Sequence, residues 1–159
     1  MMKRRLSRVL TAVLLLLVMC HAAVLTSWAY SFETEEIEIS MSQDVSSILS
    51  QLGKAENYYE AQSVKHQGKE KVFTYKGFEL STYSSGGVDY VRSIWFLDEE
   101  TATKEGIHIG STIQEMKEAY GDDCTEEKGS YIYTSEGTVL TFYTKKDRIS
   151  GVEYKAAEE

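Results

Sequence analysis

"IHIGSTIQEMKEAYG", Ile107 to Gly121, holds a short leading strand, a helix start and a glycine stop, and an earlier stretch, "ISMSQDVSSILSQLG", Ile39 to Gly53, aligns with it without a gap. Ile39 falls on Ile107, Met41 on Ile109, Val45 on Ile113, Ile48 on Met116, Leu52 on Tyr120 and Gly53 on Gly121. Within each copy the apolar positions recur at i, i+3 and i+7, which is one stripe of a helix. Ser111 and Thr112 are N-cap candidates, Asp44 stands in Thr112's place in the first copy, and Glu115 completes a capping box. Gly53 and Gly121 stand where a helix takes a left-handed closing residue. Helices this short need a partner surface to persist.

Strand signals follow both helices. "KVFTYK", "FELSTY" and "YVRSIWFL" follow the first; "SYIYT", "TVLTFY" and "RISGVEY" follow the second. They are rich in β-branched and aromatic residues. Turn residues separate them at Lys76-Gly77, Ser84-Ser85-Gly86-Gly87, Ser135-Glu136-Gly137 and Lys145-Lys146-Asp147. The short spacings suit antiparallel hairpins, because parallel strands need a longer crossover. The expected class is α+β: tandem helix-plus-antiparallel-meander repeats, 30–98 and 99–159, with the helices packed on one face of an antiparallel sheet. A longer connection in the first copy, including "NYYEAQSVKHQGKE", adds a strand or a loop. Alternation puts Phe73, Tyr75, Leu80, Thr82, Ile94 and Phe96 under the helices, with Tyr131, Tyr133, Leu140, Phe142, Val152 and Tyr154 as their counterparts. Tyr83, Ser93, Trp95, Thr141, Tyr143 and Glu153 then share the opposite face, and Arg92 alternates away from it.

The N-terminus reads as a secretory signal over residues 1–29. Lys3, Arg4, Arg5 and Arg8 precede an almost wholly apolar run from Val9 to Leu25, and Ser27-Trp28-Ala29 offers small residues for cleavage after Ala29. Two rivals stand beside it: a lipoprotein box, Leu17-Val18-Met19-Cys20, with lipid on Cys20, and an uncleaved anchor. All three place the rest of the chain outside the cytoplasm. Residues 1–29 hold four of the 17 basic residues and none of the 25 acidic ones, leaving a net charge of −12 on residues 30–159. Such a chain suits neither nucleic acid nor an anionic membrane surface; contact with a membrane comes only through the signal or a lipidated Cys20. Cys124 is the only cysteine after Ala29, so no disulfide closes within the exported part. Acidic neighbours work against a reactive thiolate there.

The run Ile109-Gly110-Ser111-Thr112, then Met116, then Tyr120-Gly121, resembles the signature of small cell-envelope domains: the BamE (SmpA/OmlA) family and the tandem β-lactamase inhibitory proteins. The resemblance implies a helical layer on an antiparallel sheet over roughly residues 36–155. Three departures stand out. No proline follows the closing glycine, the inhibitor's paired cysteines have no counterpart, and Ser42-Gln43 replaces the Gly-Ser start in the first copy. A second likeness, in "LGKA" and "VDYV", is to exported proteins of clostridia-like bacteria and implies no activity.

No nucleophile elbow, zinc motif, paired-cysteine motif or phosphate loop occurs in the sequence. His66 and His108 lack a third ligand at metal spacing. Asp98-Glu99-Glu100, Asp122-Asp123 and Glu126-Glu127 lack the alternation of a calcium loop. Neither a cofactor nor a catalytic residue is expected. What remains is aromatic: Tyr83, Trp95 and Tyr143 form a candidate partner-binding set, with Tyr83 and Tyr143 as neighbours of Trp95. A tryptophan on that face has no core to fill, and such residues dominate protein interfaces. The reading is an exported, non-enzymatic module that binds an extracytoplasmic protein through its sheet face, with inhibition as one form of that role. An envelope assembly or scaffold lipoprotein is the alternative, and a hydrolase of unrecognised type the remote one.

Overall fold

In the computed structural model, residues 30–34, 36–64 and 68–157 are described. The signal segment with Cys20 and the Ser27-Trp28-Ala29 site lies outside them, as does His66. Strands β1 (Phe32–Glu33) and β2 (Glu38–Ile39) form a small hairpin. Helix α1 (Val45–Leu52) leads into β3 (Asn57–Gln62), β4 (Lys69–Tyr75), β5 (Phe78–Ser85) and β6 (Val88–Phe96). Helix α2 (Ile113–Tyr120) leads into β7 (Thr125–Glu127), β8 (Ser130–Ser135), β9 (Thr138–Lys145) and β10 (Arg148–Ala156). Strands β3 to β10 make one antiparallel sheet of eight, in the order β3-β4-β5-β6-β10-β9-β8-β7.

The expected α+β class of helix-packed tandem repeats is therefore corrected to a predominantly antiparallel β fold. Two features of the chain cause the difference. Each helix is only eight residues long, held between a capping residue and a glycine. The segments after the helices, Asn57–Gln62 and Thr125–Glu127, extend into strands, so each half contributes four strands and not three. The halves meet last strand to last strand. Three residue pairs join β6 to β10: Trp95 with Glu153, Ile94 with Tyr154, and Ser93 with Lys155. A single buried core runs under both halves.

The helix bounds follow from their caps. Thr112 accepts from the Glu115 N–H at 3.2 Å while the Glu115 carboxylate accepts from the Thr112 N–H at 2.7 Å. Asp44 caps α1 by accepting from the Ser46 N–H at 2.8 Å. Ser111, the other cap candidate, instead accepts from the His108 N–H at 3.2 Å. Val45, Ile48 and Met116 are buried, while Leu52, Ile113 and Tyr120 pack half-buried against the core. Phe32 of the N-terminal hairpin fills the seam, its ring 4.9 Å from Phe78, 5.4 Å from Phe96 and 6.1 Å from Tyr154. The inner face of the sheet is thus covered by two helices and a hairpin together.

Both closing glycines differ from the left-handed helical form expected of them. Gly121 has φ 83° and ψ −178°, and Gly53 has φ 71° and ψ −148°. Positive φ with extended ψ belongs almost solely to glycine. Nothing lies within 4 Å of a Cβ added at Gly121, so a substitution there is a backbone test. Gly121→Val is expected to lower stability by about 1–3 kcal/mol. Thermal melts of the two proteins check this, and equal melting temperatures would refute the assigned end of α2.

Candidate functional site

The face of the sheet opposite the helices carries no covering layer among the described residues. Alternation from the buried Tyr75, Leu80, Ile94, Phe96, Leu140, Phe142, Val152 and Tyr154 turns Ser81, Ser93, Trp95, Thr141, Tyr143 and Glu153 to this outer side. These outer residues are half-buried or exposed, except for Thr141, which its neighbours enclose.

Trp95 sits on β6 at the seam, with Glu79 of β5 on one flank and Glu153 of β10 on the other. Its indole lies across β10 at Gly151. A Cβ at Gly151 would come within 3.2 Å of Trp95 Cζ2 and 3.5 Å of Tyr143 Cδ2. The Tyr143 ring stands 5.2 Å from that of Trp95, tilted by 49°. The Tyr143 hydroxyl donates to Glu153 Oε2 at 2.9 Å. Partial burial, and then the Glu153 carboxylate, push the Tyr143 phenol up to about 12. Trp95, Tyr143 and Glu153 therefore form one packed unit over a glycine that leaves room for it. Trp95 keeps 36 % of its surface exposed. Contrary to the expectation of an unsupported tryptophan, it covers Gly151 and ties the two halves together.

Tyr83 is not part of that unit. It pairs with Tyr90 across β5 and β6, the two rings stacked at 5.6 Å. The β5 neighbour of Trp95 is Glu79, and Trp95 lies five residues further along β6 than Tyr90, roughly 16 Å at strand rise. The outer face thus carries two separate aromatic pairs where the sequence suggested one group of three.

A bulge explains this. Ser81 faces Ser93 but Thr82 faces Val91, so Arg92 is the extra residue on β6. Beyond it the alternation reverses and sends Tyr90 outward. Arg92, expected to reach the outer face at best from its rim, extends to it and donates to Glu70 Oε1 at 2.8 Å. Uniform alternation misplaces both residues, because the bulge has no local signature in the sequence.

The remaining polar candidates have structural partners. Asp98 accepts from the N–H groups of Glu100 and Thr101 at 3.0 and 2.9 Å and from the Thr101 hydroxyl, a turn that holds its carboxyl below the usual range. His108 Nδ1 lies 2.8 Å from the Ile109 carbonyl. A cavity of about 430 Å³ beside α2 is lined by Glu105, His108, Ser111, Glu115 and Glu118, yet Glu115 is committed to the helix cap. Among the described residues no group of three or more metal-ligating side chains comes together. Cys124 is half-buried against the core. No helix among these residues is long and apolar enough to cross a membrane. Comparison with known protein families, with curated proteins and with solved structures yields no match, so the envelope-domain resemblance rests on the Ile109–Gly121 motif alone.

Proposed function

We propose that the chain is an exported, non-enzymatic binding module that docks an extracytoplasmic protein on the outer face of its sheet, inhibition being one form of that role. The observation that carries this reading is the outer face, which no layer covers among the described residues, with Trp95 and Tyr143 at its centre and Tyr83 with Tyr90 further along. Flat, rigid aromatics on a hydrogen-bonded sheet lose little entropy when a partner covers them. The alternative, an envelope assembly or scaffold lipoprotein, is favoured by Leu17-Val18-Met19-Cys20 and shares the same surface.

The test uses the naturally processed protein as bait against the envelope and medium of the producing cell, followed by affinity measurement with the captured partner. Trp95→Ala is expected to weaken binding by about 2 kcal/mol or more. Because Trp95 also packs on Gly151 and Tyr143, the same substitution is expected to lower stability by about 2 kcal/mol. Gln114→Ala and Glu118→Ala, on the exposed side of α2, should leave affinity unchanged. The reverse pattern, with binding lost through α2 and kept without Trp95 and Tyr143, would overturn the reading. Mass spectrometry separates the two forms. An N-terminal Tyr30 fits the secreted module, a diacylglyceryl-Cys20 fits the lipoprotein, and full-length protein in the cytoplasm refutes export.

A further inference from the structure

The two ends of the eight-stranded sheet are protected unequally. At one end β7 has three residues, two of them glutamates. At the other, β3 runs for six residues, Asn-Tyr-Tyr-Glu-Ala-Gln, in unbroken register with β4. Apart from the single charge of Glu60 it lacks the devices that usually block an edge: no lysine, no proline, no bulge. Among the described residues no strand pairs with its outer side. Tyr58 and Tyr59 are 53 % and 66 % exposed there, on opposite faces of the strand.

We propose that β3 pairs antiparallel with β3 of a second copy across a two-fold axis at Tyr59, joining two sheets of eight strands edge to edge. Backbone geometry and charge both select this register. The Ser63 N–H donates to the Gly68 carbonyl, which sets the alternation of the hairpin. The main-chain groups of Tyr59 and Ala61 face β4, and those of Tyr58, Glu60 and Gln62 face outward. With the axis at Tyr59, Tyr58 of each copy exchanges both backbone hydrogen bonds with Glu60 of the other. The two Tyr59 residues then take the closely spaced position without mutual hydrogen bonds, where side chains touch.

An axis at Glu60 would instead set two carboxylates against each other. In the Tyr59 register each Glu60 lies opposite a Tyr58 hydroxyl, a group that already donates to Glu60 Oε2 at 2.6 Å within its own strand. Glu60 is the only charged residue on β3 and is paired with Lys69. The net charge of −12 on residues 30–159 is screened over about 8 Å at physiological salt. A second copy of the chain meets these demands without any further partner, as isologous pairing requires. One strand pair is a small interface, so association rises with concentration and is not obligate.

Sedimentation equilibrium on protein expressed from the full coding sequence, in its naturally processed form, tests the proposal. The mass is expected to climb toward twice that of the monomer as concentration rises. Tyr59→Lys places two ammonium groups at the axis and should hold the protein monomeric with its melting temperature unchanged. Thr125→Lys, on the β7 edge, should associate like the parent. In Cys124→Ser chains, Tyr59→Cys should cross-link under mild oxidation, since directly opposed residues bring Cα atoms within disulfide reach. Glu60→Cys should not, because its copies lie two positions out of register. A monomer at every concentration, undiminished association of Tyr59→Lys, or cross-linking of Glu60→Cys in place of Tyr59→Cys would overturn it.

Discussion

Tyr154→Ala is expected to cost about 3–5 kcal/mol, the range for removing a large aromatic ring from a packed core. Tyr154 is 1 % exposed and faces Ile94 across the seam on one side and Leu140 on the other. Its ring lies 6.1 Å from Phe32 and 6.2 Å from Phe96, so one side chain touches the N-terminal hairpin and both halves of the sheet. Three residue pairs hold β6 to β10, and Tyr154 belongs to the central one. A loss of this size is a large share of the roughly 5–15 kcal/mol that stabilises a domain. Because the core is continuous, urea unfolding of Tyr154→Ala should move to lower denaturant as one transition, without splitting. Tyr154→Phe keeps the ring and should cost only about 1 kcal/mol. A loss below about 1 kcal/mol for the alanine variant, or two separate transitions, would show that the halves fold independently.

The parts of this fold that were legible in the sequence are those with strong local chemistry. Thr112 with Glu115, Asp44, Gly53 and Gly121 mark the helix ends, and the hairpin turns at Lys76-Gly77, Gly86-Gly87, Glu136-Gly137 and Lys146-Asp147 lie between the strands as expected. The two strands without a clear sequence signal, β3, where a strand or a loop was expected, and β7, are exposed on both sides. Of the six residues of β3 only Ala61 is even half-buried, so no alternation marks it, and β7 is a three-residue acidic segment. With both segments extended, strands outweigh the two eight-residue helices, and the class is β and not α+β. The β1–β2 hairpin is similarly masked by its acidic residues, although Phe32 and Ile39 are fully packed. At the candidate site, Trp95 and Tyr143 were legible because regular pairing holds from the seam outward. Tyr90 and Arg92 were not, because one extra residue in β6 reverses the faces beyond it.

Alkali should unfold this protein steeply, and two tyrosines give the reason. The Tyr120 ring packs 5.8 Å from Tyr30, 5.4 Å from Tyr133 and 5.1 Å from Phe142, and its hydroxyl donates to the Glu105 carboxylate. Burial raises the Tyr120 phenol well above the ordinary tyrosine range, and neighbouring Tyr154 and the bond to Glu105 add to this. Burial likewise raises Tyr154. In the unfolded chain both ionise near pH 10. Above that pH the unfolded state has released protons that the folded state still holds, so the free energy of unfolding falls as pH rises. The slope is about 1.4 kcal/mol per pH unit for each such group, or roughly 2.7 for the two. Their contribution is intact below about pH 10 and lost progressively above it; between pH 10 and 12 the loss is about 4–5 kcal/mol. Urea unfolding across this interval should show at least that slope, since the Tyr143 phenol is raised as well, and Tyr154→Phe or Tyr120→Phe should each reduce it by one proton's worth. Phenolate absorbance gives an independent reading, since the folded protein should ionise fewer than its eleven tyrosines before it unfolds. Stability that stays level from pH 10 to 12, or full ionisation near pH 10 with the fold intact, would place these hydroxyls in water and not in the core.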